Sequence, residues 1–209
     1  MLLLGLTGNI ASGKSTVAAY LKARGIVLID SDADARRAVE PGSAALAAIT
    51  MRFGATVLRA DGALDRAALG RLVFADAAAR HELERIVHPA VESQRLAALA
   101  DARRAGATAA VCDIPLLFEA KLAWQFPRII VVDASAATRM ERLVHDRGMP
   151  PDDAASRVRA QLSSALKRPR ADLVVDNDGT HDELSQRLDA AWATIARWRP
   201  VAAGNRATR

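Results

Sequence analysis

Nine residues near the start of the chain, Gly8-Asn-Ile-Ala-Ser-Gly-Lys-Ser-Thr16, set two glycines, a lysine and three hydroxyls around the spacing Gly-x-x-x-x-Gly-Lys-Ser. That spacing suits the cradling of phosphates. Gly8 and Gly13 let the backbone turn so that successive N–H groups face an anion, and Ala11 and Ser12 lie in the same cradle. A helix opening near Lys14 adds its positive end. Lys14 can then reach the β and γ oxygens, the Ser15 hydroxyl can ligate Mg²⁺, and Thr16 can contact the α-phosphate. The loop follows the apolar run Met1–Leu6 and opens a helix, which is the context the motif requires. These residues hold a nucleotide. They do not say whether its terminal phosphate goes to water, to a protein or to a small molecule.

Two carboxylates, Asp30 and Asp32, close a second apolar segment in Ile29-Asp-Ser-Asp32. Open α/β sheets bind ligands beyond the carboxyl ends of their strands, so one of the two can face an acceptor hydroxyl. Aspartate is too weak a base to strip an alcohol in the ground state. It can orient the hydroxyl and take its proton late, which suits a loose phosphoryl-transfer transition state. The plainer role for Asp32 is to cap the next helix. Farther on, Cys112-Asp-Ile-Pro-Leu-Leu-Phe-Glu119 follows a third apolar run. There Asp113 is placed to position Mg²⁺ through water, or is an ordinary strand exit, and Pro115–Phe118 forms an apolar lip. His88-Pro89 reads as a bend in a helical region, because proline biases its predecessor toward extended backbone. A lone histidine in such a place is more often structural than functional. Arg139 and Arg142 share a helix face. With Arg147 they suit either a lid that stabilises charge on a transferring phosphoryl group or a solvated basic face.

Composition narrows the class. With 209 residues, 51% of them hydrophobic and only 4% aromatic, the chain suits one domain with insertions and a core of Leu, Val, Ile and Ala. The charged fraction of 25% is that of a globular protein, not a disordered one. A single cysteine, Cys112, excludes a disulfide framework and a cysteine metal cluster. No apolar run approaches the roughly 18 residues of a membrane span, and the start reads as strand and loop rather than as a leader. A cytoplasmic protein with no membrane partner is expected. Of the net charge of +5, most sits in residues 139–170, with 8 Lys/Arg against 4 Asp/Glu, whereas residues 1–138 carry 16 against 14. A nucleic-acid face would spread its charge and add aromatic platforms. Concentration in one segment suits a flap over a polyphosphate.

The elements that must position these groups alternate between strand and helix, the mark of a parallel sheet covered on both faces. Strands are expected at Leu2–Leu6, Val27–Ile29, Thr108–Cys112, Arg128–Asp133 and Leu173–Val175, each a continuous apolar run. The first helix spans Lys14–Arg24. Between the second and third strands, helices are expected at Ala33–Val39, Ala44–Phe53, Arg66–Phe74 and Ala77–Arg104, too many for one crossover. They form an insertion able to hold an acceptor. Helices Ser135–Arg147 and Pro151–Leu166 carry the basic segment, His181–Arg197 is the last helix, and residues from Pro200 onward read as a frayed tail.

The order of the motifs resembles one family. After the phosphate loop and Ile29–Asp32 come Val39-Glu-Pro-Gly42, Asp61-Gly-Ala-Leu-Asp-Arg-Ala-Ala-Leu69 and Ile86-Val-His-Pro89. Asp113–Glu119, Gln161 and Ala171-Asp-Leu-Val-Val-Asp-Asn177 follow. From Leu3 to about Trp192 the chain is similar to dephospho-CoA kinases, the last enzymes of coenzyme A biosynthesis. The resemblance implies a three-layer α/β P-loop NTPase fold with a parallel central sheet, a helical acceptor-binding insertion and a helical lid. It implies a core of residues 1–32, 106–138 and 171–199, an acceptor domain of about 33–105 and a lid of about 139–170. The implied activity moves the γ-phosphate of ATP, with Mg²⁺, to the ribose 3′-hydroxyl of dephospho-CoA. Asp32 matches the catalytic aspartate, Lys14 the loop lysine and Arg142 the lid arginine over the phosphates. Thr7, His88, Pro89, Pro115 and Leu116 match positions lining the acceptor site, and Asn177 falls beside the adenine. One departure is that the family commonly reads Arg-Asp-Gly after the lid arginine, where this chain has Asp146-Arg147-Gly148. Arg147 is therefore not assigned a lid contact. A monomer or small homo-oligomer is expected.

Another P-loop kinase acting on a nucleoside or nucleotide would share the loop, carboxylate and lid but not the His88-Pro89 and Asp113–Glu119 elements. A guanine-specific switch protein would carry an Asn-Lys-x-Asp run, and the sequence has none.

Overall fold

The apolar runs become five strands: β1 (Leu2–Gly8), β2 (Val27–Asp30), β3 (Ala109–Asp113), β4 (Arg128–Asp133) and β5 (Leu173–Asp176). The computed structural model describes residues 1–200, the side chain of Ala75 apart, so the expected tail beyond residue 200 lies outside the described residues. The strands form one sheet in the order β2-β3-β1-β4-β5. β1 pairs in parallel with β3 and β4, and β4 with β5. The carboxyl ends of these four strands therefore share an edge. From β1 the chain leaves toward β2, and from β4 toward β5. Their connections diverge, and a crevice opens between them at the switch point.

Period two along β1 decides what covers each face. Leu2, Leu4 and Leu6 pack with Val111, Ile130, Val132 and Val175 under two helices, α1 (Lys14–Ala23) and α9 (His181–Ile195), through Val17, Leu21, Leu184, Leu188 and Ile195. Each fully buried Leu or Ile contributes about 2 kcal/mol of transfer free energy. On the opposite face Gly5 leaves room for bulkier neighbours. A Cβ there would lie 2.9 Å from Leu117 Cδ1 and 3.0 Å from Phe126 Cγ, both fully buried. The three-layer α/β arrangement expected from the sequence is thus present.

A capping box starts α9. The Thr180 hydroxyl accepts from Glu183 N at 3.3 Å, and Glu183 Oε2 accepts from Thr180 N at 2.7 Å. Those hydrogen bonds from Thr180 hold the Glu183 carboxyl below the usual glutamate range. A depressed carboxylate stabilises the fold above its unfolded pKa and loses that contribution as pH falls through the folded value. Glu183→Gln should therefore melt below the parent at pH 7, and the gap should close below about pH 4. Thermal melts across that range check this, and a gap that persists at pH 3 contradicts it.

Contacts divide the chain into two units, one of Met1–Leu28 with the chain from Ala102 onward, the other Ile29–Asp101. The basic segment belongs to the first. It comprises α6 (Ala136–Glu141), one π-helical turn (Arg142–Asp146), α7 (Pro151–Ala160) and α8 (Ser164–Lys167). The expected unbroken helices Ser135–Arg147 and Pro151–Leu166 are each interrupted, the first by the π turn and the second at residues 161–163.

The second unit holds α2 (Ser31–Arg37), α3 (Ala44–Phe53), α4 (Arg66–Ala75) and, as far as Asp101, α5 (Ala77–Arg104). Val39, Ala45, Ile49, Val57 and Leu69 form its core, with Leu83, Ile86 and Val87 of α5 packed on them. The extended backbone expected at His88 is not found, because α5 runs through both His88 and Pro89. Proline biases but does not bar a helical predecessor, and the apolar stripe of α5 binds the turns before it to the core. Asp61-Gly62 makes a turn closed by Arg59 N donating to Ala63 O at 2.8 Å. Asp65 caps α4, accepting from Ala67 N and Ala68 N, both at 2.9 Å. Asp30, not Asp32, caps α2, accepting from Asp32 N at 2.9 Å and Ala33 N at 3.1 Å.

Candidate active site

The loop between β1 and α1 is shaped by its own residues first. Gly13, the N-cap of α1, has φ +88°, and a Cβ there would collide with the Asn177 amide. Ala11 also takes a positive φ, 60°. Ser12 N donates to Asn9 O at 3.0 Å, and Thr16 N to Gly13 O at 3.0 Å. Ser15 and Thr16 are exposed, with hydroxyls at the start of α1 where an anion gains from the helix dipole. Lys14 forms an ion pair with Asp113 at the end of β3, their side chains 18% and 14% exposed.

Distant residues then brace this loop. Asn177, following β5, donates from Nδ2 to Ser12 O at 2.8 Å, and its N–H donates to Asp133 O at 2.7 Å. Arg142 donates from Nη1 to Ala11 O at 3.2 Å and from Nη2 to Asn177 O at 2.9 Å. Two of its five donors are thus used. Ile10 and Ala11 also pack against Met140, Leu143, Val144, Met149, Ala154 and Val158 of the basic segment. Beside the loop opens a cavity of ≈ 230 Å³, walled by Ala11, Gly13, Thr16, Arg142, Arg147 and Asn177 and closed by the start of α9.

The charges sort themselves by burial. Arg139, expected on a face shared with Arg142, is 5% exposed and donates from Nε to Ala134 O at 3.1 Å. Burial pushes its guanidinium pKa down, opposed by the charges of Asp133 and Asp178. Lys167 is buried 2.7 Å from Glu119 Oε1. Arg168 donates to Asp133 Oδ2 at 2.9 Å and also pairs with Asp176. Much of the concentrated charge therefore serves internal pairing, and Arg142 and Arg147 are the arginines that line the cavity. The sequence assigns Arg147 no lid contact. The π turn makes room for one extra residue per turn, and both arginines come to the same wall.

The remaining expected residues fall in several places. Thr7 is buried, and its hydroxyl donates to Pro115 O at 3.1 Å. Of the expected lip, Leu117 and Phe118 are core and Leu116 is 49% exposed. Asp32, His88 and Pro89 are exposed within the second unit. Among the described residues, no three His, Cys, Asp or Glu side chains gather to hold a metal ion. Magnesium does not need such a cage, since it is commonly bound by one or two protein oxygens plus substrate phosphates. The Ser15 hydroxyl and the Asp113 carboxylate fit that donor set.

Asn9, Asp133, Gln161 and Arg168 contribute to this arrangement through their bonds to the loop and the strand ends, and sequence reasoning gave them no role. Asn9 and Gln161 left a signal, the first inside the phosphate loop and the second as part of the family motif order.

The model of the dephospho-CoA kinase family matches residues 2–183. The dephospho-CoA kinase of Thermobifida fusca is 46% identical over 197 residues, covering 94% of this chain and 98% of that one. The dephospho-CoA kinase of Anaeromyxobacter dehalogenans is 47% identical, covering 93% and 92%. A solved structure from Thermus thermophilus superposes with a TM-score of 0.79 at 36% identity, covering 93% of this chain and 97% of that one. The dephospho-CoA kinase of Campylobacter jejuni, 23% identical with a TM-score of 0.70 over 93% and 97% of the two chains, shares the fold. With the phosphate loop on its strand end and similarity running along nearly the whole length, the chain belongs to the dephospho-CoA kinase family.

Proposed function

We propose that this chain transfers the γ-phosphate of ATP to the ribose 3′-hydroxyl of dephospho-CoA, giving coenzyme A and ADP. Family membership across residues 2–183 carries the reading, and the phosphate loop is the chemistry it needs. The loop N–H groups, Lys14 and the positive end of α1 hold the phosphates, with Gly8, Ala11, Ser12, Gly13, Ser15 and Thr16 forming the cradle. The cavity beside Asn177 takes the adenine. Ser15, and Asp113 through water, would hold Mg²⁺, which would neutralise phosphate charge when bound. His88, Pro89, Pro115 and Leu116 line the acceptor site, and Thr7, fully buried, braces it through its bond to Pro115 O. Asp32, after β2, orients the acceptor hydroxyl and takes its proton as the bond to phosphorus forms. The enzyme works in the cytoplasm as a monomer or small homo-oligomer, on small molecules rather than nucleic acid. Among the described residues, no helix is long and apolar enough to cross a membrane.

ADP release measured with Mg-ATP and a panel of dephospho-CoA, adenosine, AMP, cytidylate and pantothenate tests the acceptor. Turnover with dephospho-CoA alone is expected, and turnover with another member instead overturns the acceptor assignment.

Arg142 spans Ala11 O and Asn177 O and keeps donors free at the cavity wall. Arg142→Ala should lower kcat by about 10²-fold while raising the ATP KM only a few-fold, because its charge counts most as charge moves on the transferring group. Steady-state kinetics check this. An unchanged kcat would leave Arg142 a backbone brace.

A further inference from the structure

Gln161 ends α7 in extended backbone, φ −92° and ψ 153°, and turns its amide back onto the phosphate loop. Its Oε1 accepts the Ile10 N–H at 2.7 Å. Because a backbone N–H donates, the amide oxygen must be the atom that faces it. N–H groups of an anion-binding loop are ordinarily left for the ligand or for water. This one is held by a side chain 151 residues away.

The contact belongs to a larger brace. Asn9 Nδ2 donates to Leu162 O at 3.3 Å and to Ser164 Oγ at 3.4 Å. Leu162 N donates to Glu119 Oε1 at 3.1 Å, and Lys167 Nζ lies 2.7 Å from the same oxygen. Ser164 Oγ donates to Asp133 Oδ1 at 2.5 Å. Residues 161–167 are thus fixed to two carboxylates, one at the end of β4 and one beyond β3, and their first member reaches the loop.

We propose that Gln161 is a positioning residue for nucleotide binding. By holding Ile10 N–H it sets the first half of the loop, so that the N–H groups after it are arranged before the phosphates arrive. It also ties the loop to α7, so the basic segment and the loop shift as one body. The proposal rests on the reading of this loop as the phosphate site.

Gln161→Leu keeps the side-chain bulk and removes the acceptor, while Gln161→Glu keeps an acceptor. In the nucleotide-free protein, the Ile10 amide followed by NMR should exchange about 10-fold faster in Q161L, the scale of one lost hydrogen bond. In Q161E it should return to within about threefold of the parent. With substrates, Q161L should raise the ATP KM about 10-fold and leave the acceptor KM within about twofold. An Ile10 amide as slow in Q161L as in the parent overturns the proposal, as does an equal rise in both KM values. Should Q161L fail to fold, Q161E decides. A folded Q161E whose Ile10 amide exchanges about 10-fold faster than the parent's overturns the proposal, and a protected one supports it. The exchange measurement needs no substrate. A parent protein that ignores ATP would therefore overturn the kinase reading without touching the brace.

Discussion

Replacing Lys14 by alanine is expected to lower turnover by about 10³-fold while the melting temperature moves only a few degrees. In the free protein the ammonium pairs with Asp113 at the edge of the sheet. It sits at the first residue of α1, beside the exposed hydroxyls of Ser15 and Thr16. A nucleotide arriving there brings phosphate oxygens that compete with Asp113 for the same cation. Charge then builds on those oxygens as the terminal group leaves, and a preorganised cation in a partly dry site is worth about 10²–10³ in rate. The partly buried pair with Asp113 accounts for the small stability change. Single-turnover rates with saturating ATP check the expectation, since they separate chemistry from binding. A variant at parental speed would remove the loop lysine from the reaction.

The second large effect is expected at Asp32. Asp30 caps α2, so Asp32 is released from the role that competed with catalysis. Among the described residues its carboxylate has no hydrogen bond or ion pair, and it is exposed in the first turn of α2. Asp32→Asn keeps the shape, breaks no contact and removes the proton acceptor. Turnover should fall by about two to four orders of magnitude. The acceptor KM should stay within about threefold, because the amide still orients a hydroxyl. Initial rates against acceptor concentration read both numbers. A raised KM with unchanged kcat would make Asp32 a binding residue only.

The local rules made much of the fold legible. Continuous apolar runs marked all five strands to within a residue or two, since strands buried on both faces need no polar alternation. The ends of α3 and α5 fell where expected because caps and turns there are local, as with Ser43 accepting from Leu46 N. The phosphate loop was legible for the same reason, with its glycines, lysine and hydroxyls adjacent in the chain. What failed depended on distant partners. Nothing near Gln161 foretells that α7 stops so its amide can reach Ile10. Nothing near Arg142 signals the π turn that brings Arg147 to the same cavity. Proline at 89 was overweighted against the apolar stripe that anchors the earlier turns of α5. The choice between Asp30 and Asp32 as cap depended on a two-residue shift of the helix start, which periodicity does not resolve.

Where the terminal phosphate goes is read from labelled ATP. ATP carrying ³²P at the γ position would be turned over with Mg²⁺ and dephospho-CoA, the products separated and the labelled one found by its radioactivity, with the phosphate position read by mass and ³¹P NMR on product made from unlabelled ATP. Label is expected on the ribose 3′-oxygen of coenzyme A, with little in inorganic phosphate. Label released only as inorganic phosphate, or found on another position or molecule, would contradict it.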